Sequence, residues 1–376
     1  MKTHTDAVEL TRELVRRDTV NPPGNERGCA RHLGDLLEAA GFAVSYHELA
    51  ERRTSLVARR GNGSGKPLCL TGHIDTVPLG ARAWRVDPFA GELDAGRLYG
   101  RGASDMKSGV AAFVAAAIDA GPRLERGPGV VVVITAGEET GCQGALHLAH
   151  LDGVLGEARA VVVGEPSANY PYLGHKGALW LTARSTGTTA HGSMPERGVN
   201  AVYKAAQAVE KLREFDFEQA PHPVLGKPTL NVGTITGGMN INSVPDFAEI
   251  GIDIRTLPGM VHAKLRGALT RRLEPEVAEL SVLADIPGVW TEPDDPFAHA
   301  VFDVMEPLLG ERPQPRGASY FTDASVLAAA YGGVPVVVLG PGEPEMAHQT
   351  DEFCRVERIV QAVDAYRALL ERGVGA

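Results

Sequence analysis

Residues 129–135 read Gly-Val-Val-Val-Val-Ile-Thr, an almost unbroken Val/Ile run. Branched apolar residues with no polar alternation describe a strand covered on both faces, the condition of a parallel strand in an α/β sheet. Short apolar runs at 67–71, 160–163 and 334–339 repeat the pattern, with helical stretches between them. Strand, loop, helix, strand is the signature of an α/β domain, whose working residues sit at strand carboxyl ends.

The residues that follow these runs are therefore the ones to inspect. Gly72-His73-Ile74-Asp75 follows the first, Gly137-Glu138-Glu139-Thr140-Gly141 the second, and Gly164-Glu165-Pro166 the third. The last leads into a loop with His348. Residues i and i+2 of a strand share a side, so His73 and Asp75 are expected together, and a carboxylate beside an imidazole fixes its tautomer and frees one nitrogen for a metal. Asp105 stands before an Ala-rich helix that ends near residue 120. His73, Asp105, Glu139, Glu165 and His348 thus form a set of five candidate ligands. Carboxylates and imidazoles without thiolate suit zinc, cobalt or manganese. Five are too many for one catalytic zinc, which keeps three plus water. They suit two ions sharing a carboxylate at roughly 3.5–4 Å, a pair that clamps a water and polarises a carbonyl.

Each residue also has an ordinary explanation: Asp105 as a helix N-cap, Glu138 and Glu139 as solvated loop charges, Glu165 as a strand cap, His348 as a surface histidine. Two adjacent acids after a buried run nevertheless divide naturally into a ligand, Glu139, and a general base, Glu138.

Elsewhere, helices are expected at 6–17 and 26–40 and strands at 42–47 and 55–59. The character changes after Lys176-Gly177. A strand at 179–183, a helix at 198–214, strands at 229–236 and 248–254, a helix at 261–273 and a strand at 279–283 follow. In the third strand Ala248, Ile250, Ile252 and Ile254 alternate strictly. This βαββαβ order is ferredoxin-like and reads as an insertion. The expected division is an α/β domain over 1–176, the insert over 177–286, and the rest of the first domain over 287–376, with helices at 297–309, 323–330 and 356–372.

A net charge of −10 offers nothing to nucleic acid or to an anionic membrane surface. The four cysteines are scattered, no stretch approaches a membrane span, and the N-terminus shows no signal-peptide core. The expectation is a cytoplasmic protein.

Residues 72–78 (Gly-His-Ile-Asp-Thr-Val-Pro), 100–107 (Gly-Arg-Gly-Ala-Ser-Asp-Met-Lys), 137–141 and 164–166 together resemble the M20 family of di-zinc peptidases and deacylases. That family includes acetylornithine deacetylase, succinyl-diaminopimelate desuccinylase, aminoacylase and glutamate carboxypeptidases. The resemblance implies that His73 and Glu165 hold one ion, that Glu139 and His348 hold the other, and that Asp105 bridges. It makes Glu138 the general base and Asp75 the residue that orients His73. It also implies that the insert is a lid through which two copies pair. His191 in Ala190-His191-Gly192-Ser193-Met194-Pro195 resembles the family's lid histidine, which reaches a neighbouring subunit's site. Asn242 and Arg255 resemble its substrate contacts, with Arg255 suited to a bidentate grip on a carboxylate, and Lys176 is a further candidate.

The implied activity is metal-dependent hydrolysis of an amide, removing the acyl group of an N-acyl amino acid by attack of a metal-bridging water. Zinc is the expected metal, with cobalt or manganese as substitutes. A dipeptidase or carboxypeptidase is the alternative within the family, its substrate a short peptide. A non-enzymatic ligand-binding protein is the alternative outside it, and retention of Glu138 argues against that one.

Overall fold

The Val/Ile run becomes strand β6 (Val130–Thr135), buried at all six positions. Full burial of each such side chain contributes about 1.5–3 kcal/mol, so this strand anchors the sheet around it. The computed structural model describes residues 5–372, and the chain divides into two units. One takes in the chain up to Gly174, Trp290–Arg316, and the chain from Thr322 onward; the other is His175–Val289 with Gly317–Phe321.

The first unit holds a six-stranded sheet. Its order is β1 (Ala43–Ala50), β2 (Arg53–Arg60), β6, β3 (Leu68–His73), β7 (Ala160–Val163), β16 (Val336–Val338). Strand β3 runs parallel to β6 and β7, and β16 parallel to β7, while β1 and β2 pair antiparallel. The sheet is therefore mixed, with its parallel half at the continuous apolar runs. Helices α1 (Ala7–Val15), α2 (Arg27–Ala39), α3 (Lys107–Leu124), α7 (Pro296–Leu309), α8 (Ala324–Ala330) and α9 (Val356–Arg372) belong to this unit. Asp6 caps α1 by accepting from the amides of Val8 and Glu9. Helix α3 is buried almost throughout. Gly109 lets it reach the end of β7, because a Cβ there would stand 2.0 Å from the Gly164 carbonyl oxygen.

Two features of this unit were not expected. Helix α4 (Gln143–Ala149) follows the Glu138–Glu139 turn. A small sheet joins β4 (Glu92–Asp94), β5 (Arg97–Tyr99) and β17 (Phe353–Arg355) across some 250 positions.

The second unit lies between the short strands β8 (Gly174–His175) and β15 (Val289–Trp290). Its main run is β9 (Gly177–Thr186), α5 (Ala201–Arg213), β11 (Thr229–Gly237), β13 (Phe247–Thr256), α6 (His262–Leu273) and β14 (Glu279–Ile286). The sheet order is β11, β13, β9, β14, antiparallel throughout, which is the ferredoxin-like arrangement. Ala248, Ile250, Ile252 and Ile254 point to one face, where Leu179 and Leu181 join residues of α5 and α6 in a core. Period-two alternation has one side of this sheet to cover. A two-residue strand β10 (Ala190–His191) pairs with β12 (Ser243–Val244). The segment Gly317–Phe321, which the sequence division leaves in the third stretch, clusters with this unit.

Candidate active site

At the carboxyl ends of β3, β6 and β7 the sheet register sets His73 opposite Thr135 and Thr71 opposite Val163. The chain then delivers His73, Glu138, Glu139 and Glu165 to one place. Donor atoms of His73, Asp105 and Glu139 lie within 4.8 Å of one another, and so do those of His73, Glu138 and Glu165.

Asp105 stands between the two histidines. Its Oδ1 is 3.2 Å from His73 Nε2, and its Oδ2 is 3.4 Å from His348 Nε2. His73 Nε2 also has Glu165 Oε1 at 3.5 Å and Glu138 Oε2 at 4.0 Å. His348 Nε2 has Glu139 Oε2 at 3.1 Å. The N-cap position of helix α3 belongs to Met106 and not to Asp105, so the N-cap explanation falls away. Glu138, 5% exposed, and Glu139, whose side chain is 8% exposed, are not solvated loop charges, and Glu165 is buried as well. His348 does sit on an exposed loop, and its φ is +63°.

Asp75 lies beside His73, and its carboxylate has a second task. The imidazole Nδ1 faces the Asp75 main-chain oxygen at 3.0 Å, and the carboxylate is 3.5 Å away. A carbonyl only accepts, so Nδ1 carries a proton and Nε2 is the nitrogen turned toward Asp105 and Glu165. The protonated ring donates from Nε2 to Asp105, and in the neutral ring that nitrogen has the lone pair a cation would take. The Asp75 carboxylate also accepts from the amides of Gly137 (2.8 Å), Glu138 (3.1 Å) and Glu139 (3.3 Å) and from Asn21 Nδ2 (2.9 Å). Strand β3 ends at His73, so the two-residue strand periodicity does not reach Asp75. The Asp75 backbone oxygen and carboxylate both face the imidazole, and the carboxylate also braces the turn that carries both glutamates.

Burial drives the electrostatics. Burial and then the neighbouring acids push Glu138 and Glu165 well above the usual carboxylate range, and Glu139 rises for the same reasons. Asp105 goes the other way: burial opposes it, but hydrogen bonds from His348 and His73 hold its carboxyl far below that range. The acids Asp105 and Glu139 raise His348 to about 10. His73 is also raised, the acids around it outweighing its burial. Glu139 Oε1 is buried with no hydrogen-bond partner. Crowded acids, two imidazoles and an orphaned carboxylate oxygen fit divalent cations, which supply the charge that burial withholds.

Three polar residues near this cluster escaped the sequence reading. Asp323, buried, accepts from Thr135 Oγ1 and is pushed up to about 6 by burial. Glu352 and Arg101 form a buried ion pair at 2.6 Å. An acid at the head of an Ala-rich helix was the available signal for Asp323, and an acid four positions after His348 for Glu352.

In the second unit, His191 is exposed. Its Nδ1 accepts from the Ser193 amide at 3.2 Å and faces the Ser193 hydroxyl at 2.8 Å. An amide only donates, so neutral His191 carries its proton on Nε2, directed away from its own turn. The Gly192 amide donates to the Asn242 carbonyl at 2.7 Å, and a Cβ at Gly192 would come within 2.9 Å of that backbone. His191 and Asn242 are thus neighbours. Arg255 donates through Nε and Nη2 to Asp253 and lies over the Phe321 ring at 5.7 Å. Lys176 already donates to the Lys227 carbonyl at 2.6 Å, and burial and then Arg255 lower its pKa.

The model of peptidase family M20/M25/M40 matches residues 69–372. The chain belongs to this family. It is a hydrolase of a metal-dependent family. The acetylornithine deacetylase of Proteus mirabilis is 34% identical over 365 residues, covering 92% of this chain and 91% of that protein. A probable succinyl-diaminopimelate desuccinylase of Staphylococcus epidermidis is 30% identical over 394 residues, covering 96% of each. Among solved structures, an M20 family metallo-carboxypeptidase of Sulfolobus solfataricus superposes with a TM-score of 0.83. It is 18% identical and covers 99% of this chain and 100% of that one. The fold of this M20 hydrolase is thereby fixed at both units. No helix among its described residues is long and apolar enough to cross a membrane.

Proposed function

We propose that this M20 hydrolase removes the acyl group from an N-acyl amino acid, using two divalent cations per chain, zinc first among them. The observation that carries the reading is Asp105, which turns one carboxylate oxygen to each histidine. His73 and Glu165 would hold one cation, Glu139 and His348 the other, with Asp105 shared. When bound, the cations supply a Lewis acid for the scissile carbonyl and lower the pKa of a water.

The chain's residues carry the proton. Glu138, buried and raised, takes a proton from the attacking water as its oxygen bonds to the carbonyl carbon. It delivers that proton to the nitrogen as the amide C–N bond breaks, so a carboxylic acid and an amine leave. Asp75 holds the Glu138 turn through its three backbone amides. His191 Nε2–H is the donor for the developing oxyanion. Arg255, fixed by Asp253, grips the amino acid's carboxylate, with Asn242 beside the histidine turn as a second contact. Lys176 is the weakest member, because a carbonyl already holds its amine.

Deacylation is preferred to peptide cleavage because relatives at 34% and 30% identity carry deacetylase and desuccinylase names. The carboxypeptidase likeness, at 18%, speaks for fold alone. Pairing of two copies through the second unit is part of the proposal. Tyr203, Met239 and Ile241 are 71%, 89% and 104% exposed there, with Ile235 on the edge strand β11 also open. Four buried, unpaired cysteines support the cytoplasm.

The test is hydrolysis of N-acetyl, N-succinyl and N-formyl amino acids and of dipeptides, before and after chelation. Turnover of an N-acyl amino acid that chelation abolishes and added cation restores is expected. Dipeptide cleavage alone would shift the reading to a peptidase, and full turnover in metal-free protein would overturn it.

A further inference from the structure

We infer that Glu352 is a positioning residue that preforms the loop carrying Asp105 and ties it to the segment carrying His348. The inference rests on the two-cation reading above and concerns a residue outside its ligand set.

Glu352 is fully buried, and both its oxygens are engaged by residues 101–105. Oε1 accepts from the amides of Ser104 (2.8 Å) and Asp105 (3.0 Å). Oε2 accepts from the Gly102 amide (3.0 Å) and Arg101 Nη1 (2.6 Å). Three backbone donors from one short loop therefore converge on one carboxylate, a concavity made for an anion. Gly102, at φ +86°, provides the backbone turn that aims them.

The same two segments are joined at further points. The Gly100 amide donates to the Glu352 carbonyl at 2.9 Å, Ser104 Oγ to the Phe353 carbonyl at 2.7 Å, and Arg101 Nη1 to the Gln349 carbonyl at 3.3 Å. Strand β17 continues the pairing against β5, with Phe353 opposite Tyr99. Arg101 is buried with Glu352 and also donates to the Pro78 carbonyl and lies over Trp84.

This arrangement explains how Asp105 comes to serve both histidines. Its amide is pinned by Glu352, so its carboxylate projects from a fixed point. His348 lies on an exposed loop, and Glu352, four residues on, is the buried anchor nearest to it in sequence among these contacts. One carboxylate thus sets the spacing between the shared ligand and a ligand unique to one cation. Residues that orient ligands in this way typically change metal affinity or activity about 10- to 100-fold when replaced.

The test uses the full-length chain stripped with chelator and titrated with Co²⁺, followed by its visible absorption. Wild type should take up two equivalents. Glu352→Gln, folded by circular dichroism, should bind one of them roughly 10- to 100-fold more weakly, with kcat reduced and KM held. Glu352→Asp, which keeps the carboxylate, should recover part of the affinity. In stripped wild type, the amides of Gly102, Ser104 and Asp105 should exchange with deuterium as slowly as those of β5. A Gln variant that binds both equivalents as wild type does would overturn the inference. So would fast exchange of those three amides in stripped protein that slows only when Co²⁺ is added, because the cation would then be building the loop. If the Gln variant fails to fold, the exchange measurement on wild type decides. Wild type that binds no Co²⁺ would sink the two-cation reading instead, and the exchange result would still judge Glu352.

Discussion

Glu138 and Glu165 are almost wholly buried with three more acids beside them, whereas His191 and Asn242 stand open on turns of the second unit. The first group is held under electrostatic load. Burial and mutual repulsion push its carboxyls upward, His73 offsets only part of that, and divalent cations would relieve the rest. The second group is held by a few hydrogen bonds. Ser193 fixes one nitrogen of His191, Asp253 takes two donors of Arg255, and the rest of each side chain is left for something else. The contrast separates two jobs. In the proposed function, strand ends of the first unit hold the reactive charge and the second unit supplies the hydrogen-bond donors. Changes in the two groups should therefore differ in what they do to bound metal.

The largest effect is expected from Glu138→Gln. It should keep both cations and lose about 10²–10⁴-fold in turnover, measured as kcat with cation content alongside. A variant within a few-fold of wild type would place proton transfer elsewhere. His191→Ala should lose about 10²–10³-fold with cation content unchanged, the loss expected for one oxyanion donor. If the histidine serves the partner's site, mixing this variant with Glu138→Gln should restore turnover in mixed dimers. Mixed dimers, identified by mass, that stay inactive would return His191 to its own subunit or to the bare surface.

Arg255→Lys keeps the charge and loses the planar fork. It should impair substrates with a free carboxylate by roughly 10- to 100-fold while sparing their amides, as expected for a charge-assisted pair. Equal losses on both would refute a carboxylate contact and blur the division of labour. The smallest effect concerns pH in metal-free protein. Asp105 and Glu139 raise His348 to about 10. A histidine raised on folding stabilises fully below its unfolded pKa, near 6.5, and that stability is lost as pH climbs through about 10. The Tm of stripped wild type should fall between pH 7 and 10 by more than that of His348→Ala. Because the side chain is 53% exposed, solvent screening should keep the difference to no more than a few degrees. Identical pH profiles would show that His348 is unloaded without metal.

The parallel strands were legible because an unbroken Val/Ile run followed by glycine and an acid has few other uses. The ferredoxin-like unit was legible because Ile250, Ile252 and Ile254 alternate where one face is covered. What escaped depends on pairings with no local period. Strands β5 and β17 have three residues each and meet across more than 250 positions. Helix α4 spans seven residues and starts at Cys142 with φ +56°, so it carries neither length nor a capping residue. Strand spacing brought Asp75 beside His73 but gave no sign that its carboxylate also accepts from the backbone of residues 137–139. Glu352 escaped for a similar reason: apart from Arg101, its partners are backbone amides, which every loop possesses.

The account turns on five side chains, from His73 to His348, forming one centre for two cations that exists whether or not the second unit contributes. Its most direct test is elemental analysis of cation-replete, dialysed protein, comparing wild type, His191→Ala and Asp105→Ala. The account predicts two divalent cations per chain in wild type and in His191→Ala, and fewer than one in Asp105→Ala, because both cations lose their shared ligand. Two cations retained by Asp105→Ala, or at most one in wild type, would contradict it.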